Sequence, residues 1–187
     1  MTDYTTLAAV KRALGSVENA DDVLLMELIT QASRTIDRFC AGADNYFVKE
    51  TLSNVILRGY ISEGVLRCWP PKPVIESVSY LAYRSSAGEN WHELDPTKTE
   101  IFKSFVSWNG VYGQGKVQVN LSFTGGFTPL PDDLVNAATL LSVRFYKEIK
   151  SGLTDSIGVA ELGMLQYTKA LPERVQVMLK PYRRIVL

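Results

Sequence analysis

The stretch Val117-Gln118-Val119-Asn120-Leu121-Ser122-Phe123-Thr124-Gly125-Gly126-Phe127-Thr128-Pro129-Leu130-Pro131-Asp132-Asp133-Leu134 decides the fold, because its period changes midway. Val117, Val119, Leu121 and Phe123 alternate with Gln118, Asn120 and Ser122, the period of a strand with one wet face. Gly125 and Gly126 then supply a strand exit that needs positive φ. Thr128-Pro129-Leu130-Pro131 is a rigid turn, and Asp132 and Asp133 place negative charge in the first turn of a helix. From Leu134 to Ile149 the apolar residues Leu134, Val135, Ala137, Ala138, Leu140, Leu141, Val143, Phe145 and Tyr146 cover most of the circumference. A helix so apolar is expected at the centre of its domain.

Upstream, residues 46–127 are rich in β-branched and aromatic residues cut by turn formers, namely Ser62-Glu63-Gly64, Pro70-Pro71-Lys72-Pro73, Ser85 to Asn90 and Asn109 to Gly115. Six to eight short antiparallel strands are expected, clearest at Asn54–Arg58, Val65–Trp69, Ile75–Tyr83 and Lys116–Phe123. Pro70–Pro73 must be a link or an edge, since three of its residues lack a ladder donor. Further upstream, Thr5 or Thr6 caps a short helix, Leu7 to Leu14, which Gly15 ends. Asn19 to Asp22 opens a longer helix with Leu25, Leu28, Ile29, Ala32, Ile36, Phe39 and Cys40 on one stripe. Glu27, Gln31, Arg34, Asp37 and Arg38 lie mostly opposite, and Gly42 is its expected end. At the other end Ser151-Gly152 closes the central helix, Leu153–Tyr167 is an irregular segment, and Leu171-Pro172-Glu173 opens a last short helix that Pro181 ends or kinks. The expected class is α+β: a small helical bundle from 1–45 and 128–187, with an inserted antiparallel β-domain at 46–127.

A chain of 187 residues, 46% hydrophobic and 21% charged, can bury about 70% of its unfolded surface and is neither collagen-like nor largely disordered. No apolar run reaches the length of a membrane span, and MTDYTTLAAVKRAL lacks a basic stretch followed by an apolar one, as expected of a chain kept in the cytoplasm. Net charge is zero, so bulk electrostatics gives no pull toward nucleic acid or a membrane. The distribution is uneven: residues 1–45 carry seven acids and four bases, whereas Arg174, Lys180, Arg183 and Arg184 near the C-terminus face no acid after Glu173. Cys40 and Cys68 have neither metal-site nor disulfide spacing and read as buried thiols.

Catalytic constellations are sparse. The single histidine, His92, lies in Trp91-His92-Glu93-Leu94-Asp95, where a strand puts Glu93 on the opposite face, and no Gly-x-Ser-x-Gly elbow occurs. One histidine and two separated cysteines cannot build a four-ligand zinc site. Gly110-Val111-Tyr112-Gly113-Gln114-Gly115 lacks the Lys-Ser/Thr of a phosphate loop and precedes a strand, so it reads as a flexible hairpin tip. The aromatic strands offer a stacking platform, but with nearly equal numbers of acids and bases in the middle block they read as core or subunit contact.

The order of the parts carries a resemblance. Tyr4-Thr5-Thr6-Leu7-Ala8-Ala9-Val10-Lys11, Asp21-Asp22-Val23-Leu24-Leu25 and Ala32-Ser33-Arg34-Thr35-Ile36-Asp37-Arg38-Phe39-Cys40 look like the start of the phage and prophage head-tail connector family, also called adaptor or head-completion proteins. The strand, glycine turn and Leu130-Pro131-Asp132-Asp133-Leu134, with Val143-Arg144-Phe145-Tyr146-Lys147-Glu148, resemble the family's central segment. Leu171-Pro172-Glu173-Arg174-Val175 and Leu179-Lys180-Pro181-Tyr182-Arg183-Arg184 resemble its closing helix and basic end. The likeness covers both helical blocks and, more loosely, the sheet, as in longer members with an insertion.

That resemblance implies a non-enzymatic virion assembly protein without cofactor or metal. It implies a homo-oligomeric ring, commonly of twelve subunits, made in the host cytoplasm and placed at the virion's head-tail junction. The ring binds the portal protein on one side and a tail or stopper (tail-completion) protein on the other, while DNA only passes through its lumen and no membrane is involved. The expected portal contact is Arg174, Lys180, Tyr182, Arg183 and Arg184, with Ile185, Val186 and Leu187 as apolar anchors. The expected assembly or lumen loop is Asn109, Gly110, Tyr112, Gly113, Gln114 and Gly115. A prophage nucleic-acid-binding or regulatory protein is the alternative.

Overall fold

A computed structural model of the chain describes residues 2–15, 19–41, 44–102, 105–150 and 171–184. Gly42 as a helix end, Ser151-Gly152, the segment Leu153–Tyr167 and the anchors Ile185, Val186 and Leu187 lie outside the described residues. The protein is α+β, and by its internal contacts divides into two units, 1–45 with 130–187 and 46–129.

In the helical unit, Thr6 caps α1 (Leu7–Leu14) by accepting the Ala9 N–H at 3.2 Å, and Gly15 ends it at φ 80°. A 3-10 turn, Asn19–Asp21, leads into α2 (Asp22–Cys40). Helix α3 (Asp132–Lys150) packs against α1, α2 and the later α4 (Glu173–Leu179), so it is the central helix of the unit. Val10, Leu25 and Ile29 form a core with Leu7, Leu14, Val143 and Tyr146 around it. Burial on α3 is narrower than its composition predicts: Leu134, Ala137, Ala138, Leu141 and Ser142 are buried, while Val135, Leu140, Val143 and Phe145 are half-buried and Ile149 is exposed. The three helices packed on α3 do not enclose every side of it.

The polar side of α2 differs from the expectation too. Ser33, Arg34 and Asp37 are buried, because the N-terminal segment and Asn45 fold over them. Asp37 accepts the Tyr4 hydroxyl, the Asn45 N–H at 2.8 Å and an Arg34 ion pair at 3.0 Å. Arg34 in turn donates to Asn45 Oδ1 and the Thr2 carbonyl, each at 2.8 Å. A charge so covered needs these partners, since an unpaired buried ion is costly.

The other unit is one antiparallel sheet of β1 (Glu50–Ser62), β2 (Val65–Cys68), β3 (Ile75–Arg84), β4 (His92–Leu94), β5 (Glu100–Ile101), β6 (Val106–Asn109) and β7 (Gly115–Gly125). Their order is β4-β3-β7-β1-β2-β6-β5. The sheet curls around Ile61, Leu66, Cys68, Leu81, Val106, Val117, Val119, Leu121 and Phe123. Strands β1 and β7 are longer than the short strands expected; between Leu52 and Val55 the β1 register shifts, at Asn54 with φ 55°. The incoming and outgoing segments of this unit run side by side, Phe127 N–H donating to the Phe47 carbonyl at 2.8 Å and Lys49 N–H to that of Phe127 at 3.3 Å. Gly126, at φ 108°, allows this, for a Cβ there would sit 2.4 Å from the Val48 oxygen.

The segment from Asn109 to Gly115 is a crossover and not a hairpin tip. Strands β6 and β7 are not neighbours; the β1–β2 hairpin lies between them, and the chain crosses its turn. Gly110 and Val111 donate to the Gly64 carbonyl at 2.9 and 3.1 Å, and Val111 is buried. Alternation alone could not reveal this, because a hairpin and a crossover have the same local period.

Candidate functional site

The C-terminal segment is built on α4, whose Val175 and Leu179 are buried in the helical unit. Pro181 has no N–H to extend the α-helical ladder, and Lys180–Tyr182 tightens into a 3-10 turn. The chain then straightens, and Arg184 N–H donates to the Cys40 carbonyl at 2.8 Å. That oxygen is one of the carbonyls a helix end leaves unpaired. The Arg183 guanidinium stands 5.5 Å from the Phe39 ring, a cation near a helix C-terminus. Tyr182 is half-buried, and burial together with the Asp133 carboxylate pushes its phenol upward. Through Arg184 the chain therefore lies against its own helices.

The five basic and aromatic residues of this segment do not form one cluster. Arg174, exposed in the first turn of α4, borders an open groove of about 300 Å³ with Ala13, Asn136, Thr139, Leu140 and Met178. Lys180 and Arg183 are exposed and Tyr182 and Arg184 half-buried at the other end of α4. The crossover presents a different chemistry. Gly110, Gly113 and Gly115 hold φ of 92°, 108° and 97°, conformations open to glycine. Between them Val111 points into the core while Tyr112 is 91% exposed, and Gln114 is exposed beside it. Asn109, at the loop's start, donates to Glu100 Oε1 at 3.2 Å.

No other described group assembles a reaction centre. His92 packs on the Tyr83 ring at 5.3 Å, while Glu93, on the opposite face, accepts the Tyr80 hydroxyl at 3.2 Å. Among the described residues no group of three His, Cys, Asp or Glu could hold a metal ion. Burial pushes both thiols up to about 12; at Cys40 Asp37 adds to the rise and Arg183 opposes it. No described helix is long and apolar enough to cross a membrane. Sequence reasoning missed the Arg34–Asp37 cluster and the buried Lys72, which pairs with Glu50 at 2.6 Å and donates to the Val48 carbonyl at 3.0 Å. The i, i+3 spacing of Arg34 and Asp37 was the signal available for the first.

No family model matches the sequence, and no curated protein matches it. Among solved structures, the chain is similar to one from the neck of an empty GTA particle computed with C6 symmetry, at 16% identity and a TM-score of 0.56. The likeness covers 98% of this chain and 91% of that one, so it extends through both units.

Proposed function

We propose that the protein is a structural subunit of a phage-like head-tail neck: a connector, or adaptor, that closes into a ring between portal and tail. Packaged DNA passes through its lumen. The observation that carries the reading is the whole-chain fold likeness to a particle-neck chain, which joins the helix pair, curled sheet and closing helices in one order. Sequence resemblance to the connector family, carried by other features, leads to the same place. In this reading 1–45 with 128–187 is the connector domain, 46–127 is the inserted β-domain, and the role is non-enzymatic. A ring of twelve is the number the family resemblance implies.

Within that role, Arg174, Lys180, Tyr182, Arg183 and Arg184 make the portal contact. Cations on exposed turns suit an acidic partner, and the 3-10 turn holds Lys180 and Arg183 outward. Tyr112, with so little support from its own unit, is the contact residue of the loop Asn109–Gly115. The test is the mass of the purified protein with and without portal-bearing heads. A ring, or a stoichiometric complex on the portal, supports the connector; a salt-sensitive DNA complex of a monomer or dimer supports the nucleic-acid-binding alternative.

A further inference from the structure

Charge in the sheet unit is sorted by face, although its total is nearly balanced. The pairing registers put Arg84, Gln118 and Arg58 in one cross-strand row and Lys116, Tyr60 and Arg67 in the next. These side chains alternate with the core residues Tyr83, Val117, Val119, Ile61 and Leu66, so they stand on the outer face of β3, β7, β1 and β2. Rows two residues apart on strands about 4.8 Å apart bring the four cations into one patch. Among the described residues Arg58, Arg67 and Lys116 have no ion pair, while Arg84 donates to Gln118 at 2.9 Å and stacks over Trp91 at 4.3 Å. The carboxylates of those strands, Glu50 and Glu76, are at the Gly125 end of the sheet, paired with Lys72 and Lys49. Ile56 and Tyr60 are 60% and 48% exposed on the same face.

Apart from Glu63, exposed in the β1–β2 turn beside the second row, the remaining acids gather elsewhere. Glu89, Glu93, Asp95 and Glu100 fall in one segment with Lys98 as its single base. Glu93 is on β4 and Glu100 on β5, the two edges of the sheet, and Asp95 caps the turn Pro96–Lys98 between them. Trp108 Nε1 donates to the Asp95 carbonyl at 3.0 Å, and that turn and β5 both reach β3, so the edges close on each other there. In the strand order β1 is the middle strand, farthest from this seam. The unit is thus basic on its central strands and acidic where its edges meet.

We infer that the outer face of β7, β1 and β2, beyond Arg84, which lies against Trp91 of the chain's own 89–100 segment, is a subunit interface whose occupant is the 89–100 seam of a second copy of this chain. The inference rests on the ring reading and names its contact surface. Two different surfaces of opposite sign make a heterologous contact, the kind that closes by rotation into a ring. Exposed Tyr60 and Ile56 amid arginines match the composition of a protein interface core. A polyanion is the poorer occupant, because a chain of zero net charge gives it no long-range attraction.

The experiment uses two full-length variants, a face variant with Arg58→Glu and Lys116→Glu and a seam variant with Glu93→Lys and Glu100→Lys. All four positions are exposed, and melting curves check that both variants fold. Assembly is followed by light scattering of the protein alone and by its stoichiometry on portal-bearing heads. Each variant alone is expected to associate about tenfold more weakly than wild type or worse. An equal mixture is expected to assemble again, because reversed face then meets reversed seam and native face meets native seam in alternation. Variants that assemble like wild type, or defects that mixing does not relieve, overturn the interface while wild-type rings leave the connector reading standing. Lost DNA binding with intact assembly in the face variant also overturns it and makes the face a polyanion site. Wild type that forms no ring, alone or on heads, overturns both.

Discussion

Four residues show how tightly local chemistry binds the chain. Gly126 has φ 108° and no room for a Cβ beside the Val48 oxygen, so Gly126→Ala combines backbone strain with a clash. Strain of that kind costs about 1–3 kcal/mol before the clash is counted, and urea unfolding should show at least that loss. Asp21 receives Lys150 at 2.7 Å and the Tyr146 hydroxyl at 2.7 Å, and these, Lys150 first, hold its carboxyl below the usual range. A lowered folded-state pKa contributes stability above the unfolded value and loses it as pH falls through the folded one. Asp21→Asn should therefore flatten the decline in melting temperature below about pH 4, leaving the curve at neutral pH parallel to wild type. Cys40 and Cys68, with thiols pushed up to about 12, should resist maleimide at pH 8 in the native protein and react once it is unfolded. Rapid native labelling of either would contradict their burial. The buried thiols and glycine turns were legible as residues, because their reasons are local. The burial of Arg34 and Asp37 was not, because what covers them is the chain 32 residues before Arg34, at Thr2, and 11 after it, at Asn45.

Among the elements, α3 tests whether an apolar helix acts as the centre of its unit. Leu141 is 1% exposed in the stripe that faces the other helices, and Leu141→Ala leaves a cavity costing about 2–5 kcal/mol. The loss should appear in hydrogen exchange of α1, α2 and α3, with β1 and β7 keeping their protection, since Leu141 belongs to the other unit. Uniform loss across both would mean that the units unfold as one. Element types were legible wherever period and caps agreed: Thr6 before α1, the acidic start of α3 and the alternation of β7. Strand length and pairing were not. The β1 strand begins at Glu50 and passes a register shift at Asn54 that interrupts the alternation, and the order β7-β1-β2-β6 is set by contacts between distant segments. For that reason a glycine-rich link between strands read as a hairpin although it crosses one.

At the scale of the whole molecule, the candidate surfaces were legible as composition and not as geometry. A run of bases after Glu173 was visible in the sequence, but the hydrogen bond from Arg184 to Cys40 and the separation of Arg174 from Arg183 by a helix were not. Truncating the chain at Tyr182 would remove a backbone donor that satisfies the end of α2, so it confuses docking with folding. Side-chain replacement keeps that donor. Lys180 and Arg183 are both exposed, and the pair Lys180→Ala, Arg183→Ala removes two charges along with the Arg183–Phe39 contact. The pair Lys180→Glu, Arg183→Glu loses the same contact and adds two acids, so the difference between the two pairs reports charge alone. Both should melt close to wild type, as exposed substitutions usually change stability by under about 0.5 kcal/mol. If the segment docks on an acidic portal surface, the Glu pair should bind portal-bearing heads more weakly than the Ala pair. The gap should narrow as salt rises past physiological strength, where screening acts within about 8 Å. Equal binding by the two pairs at low salt would remove charge from the docking contact and move the portal site to the acidic first helices, where Glu27 is exposed, and the turn after them, where Asp44 is.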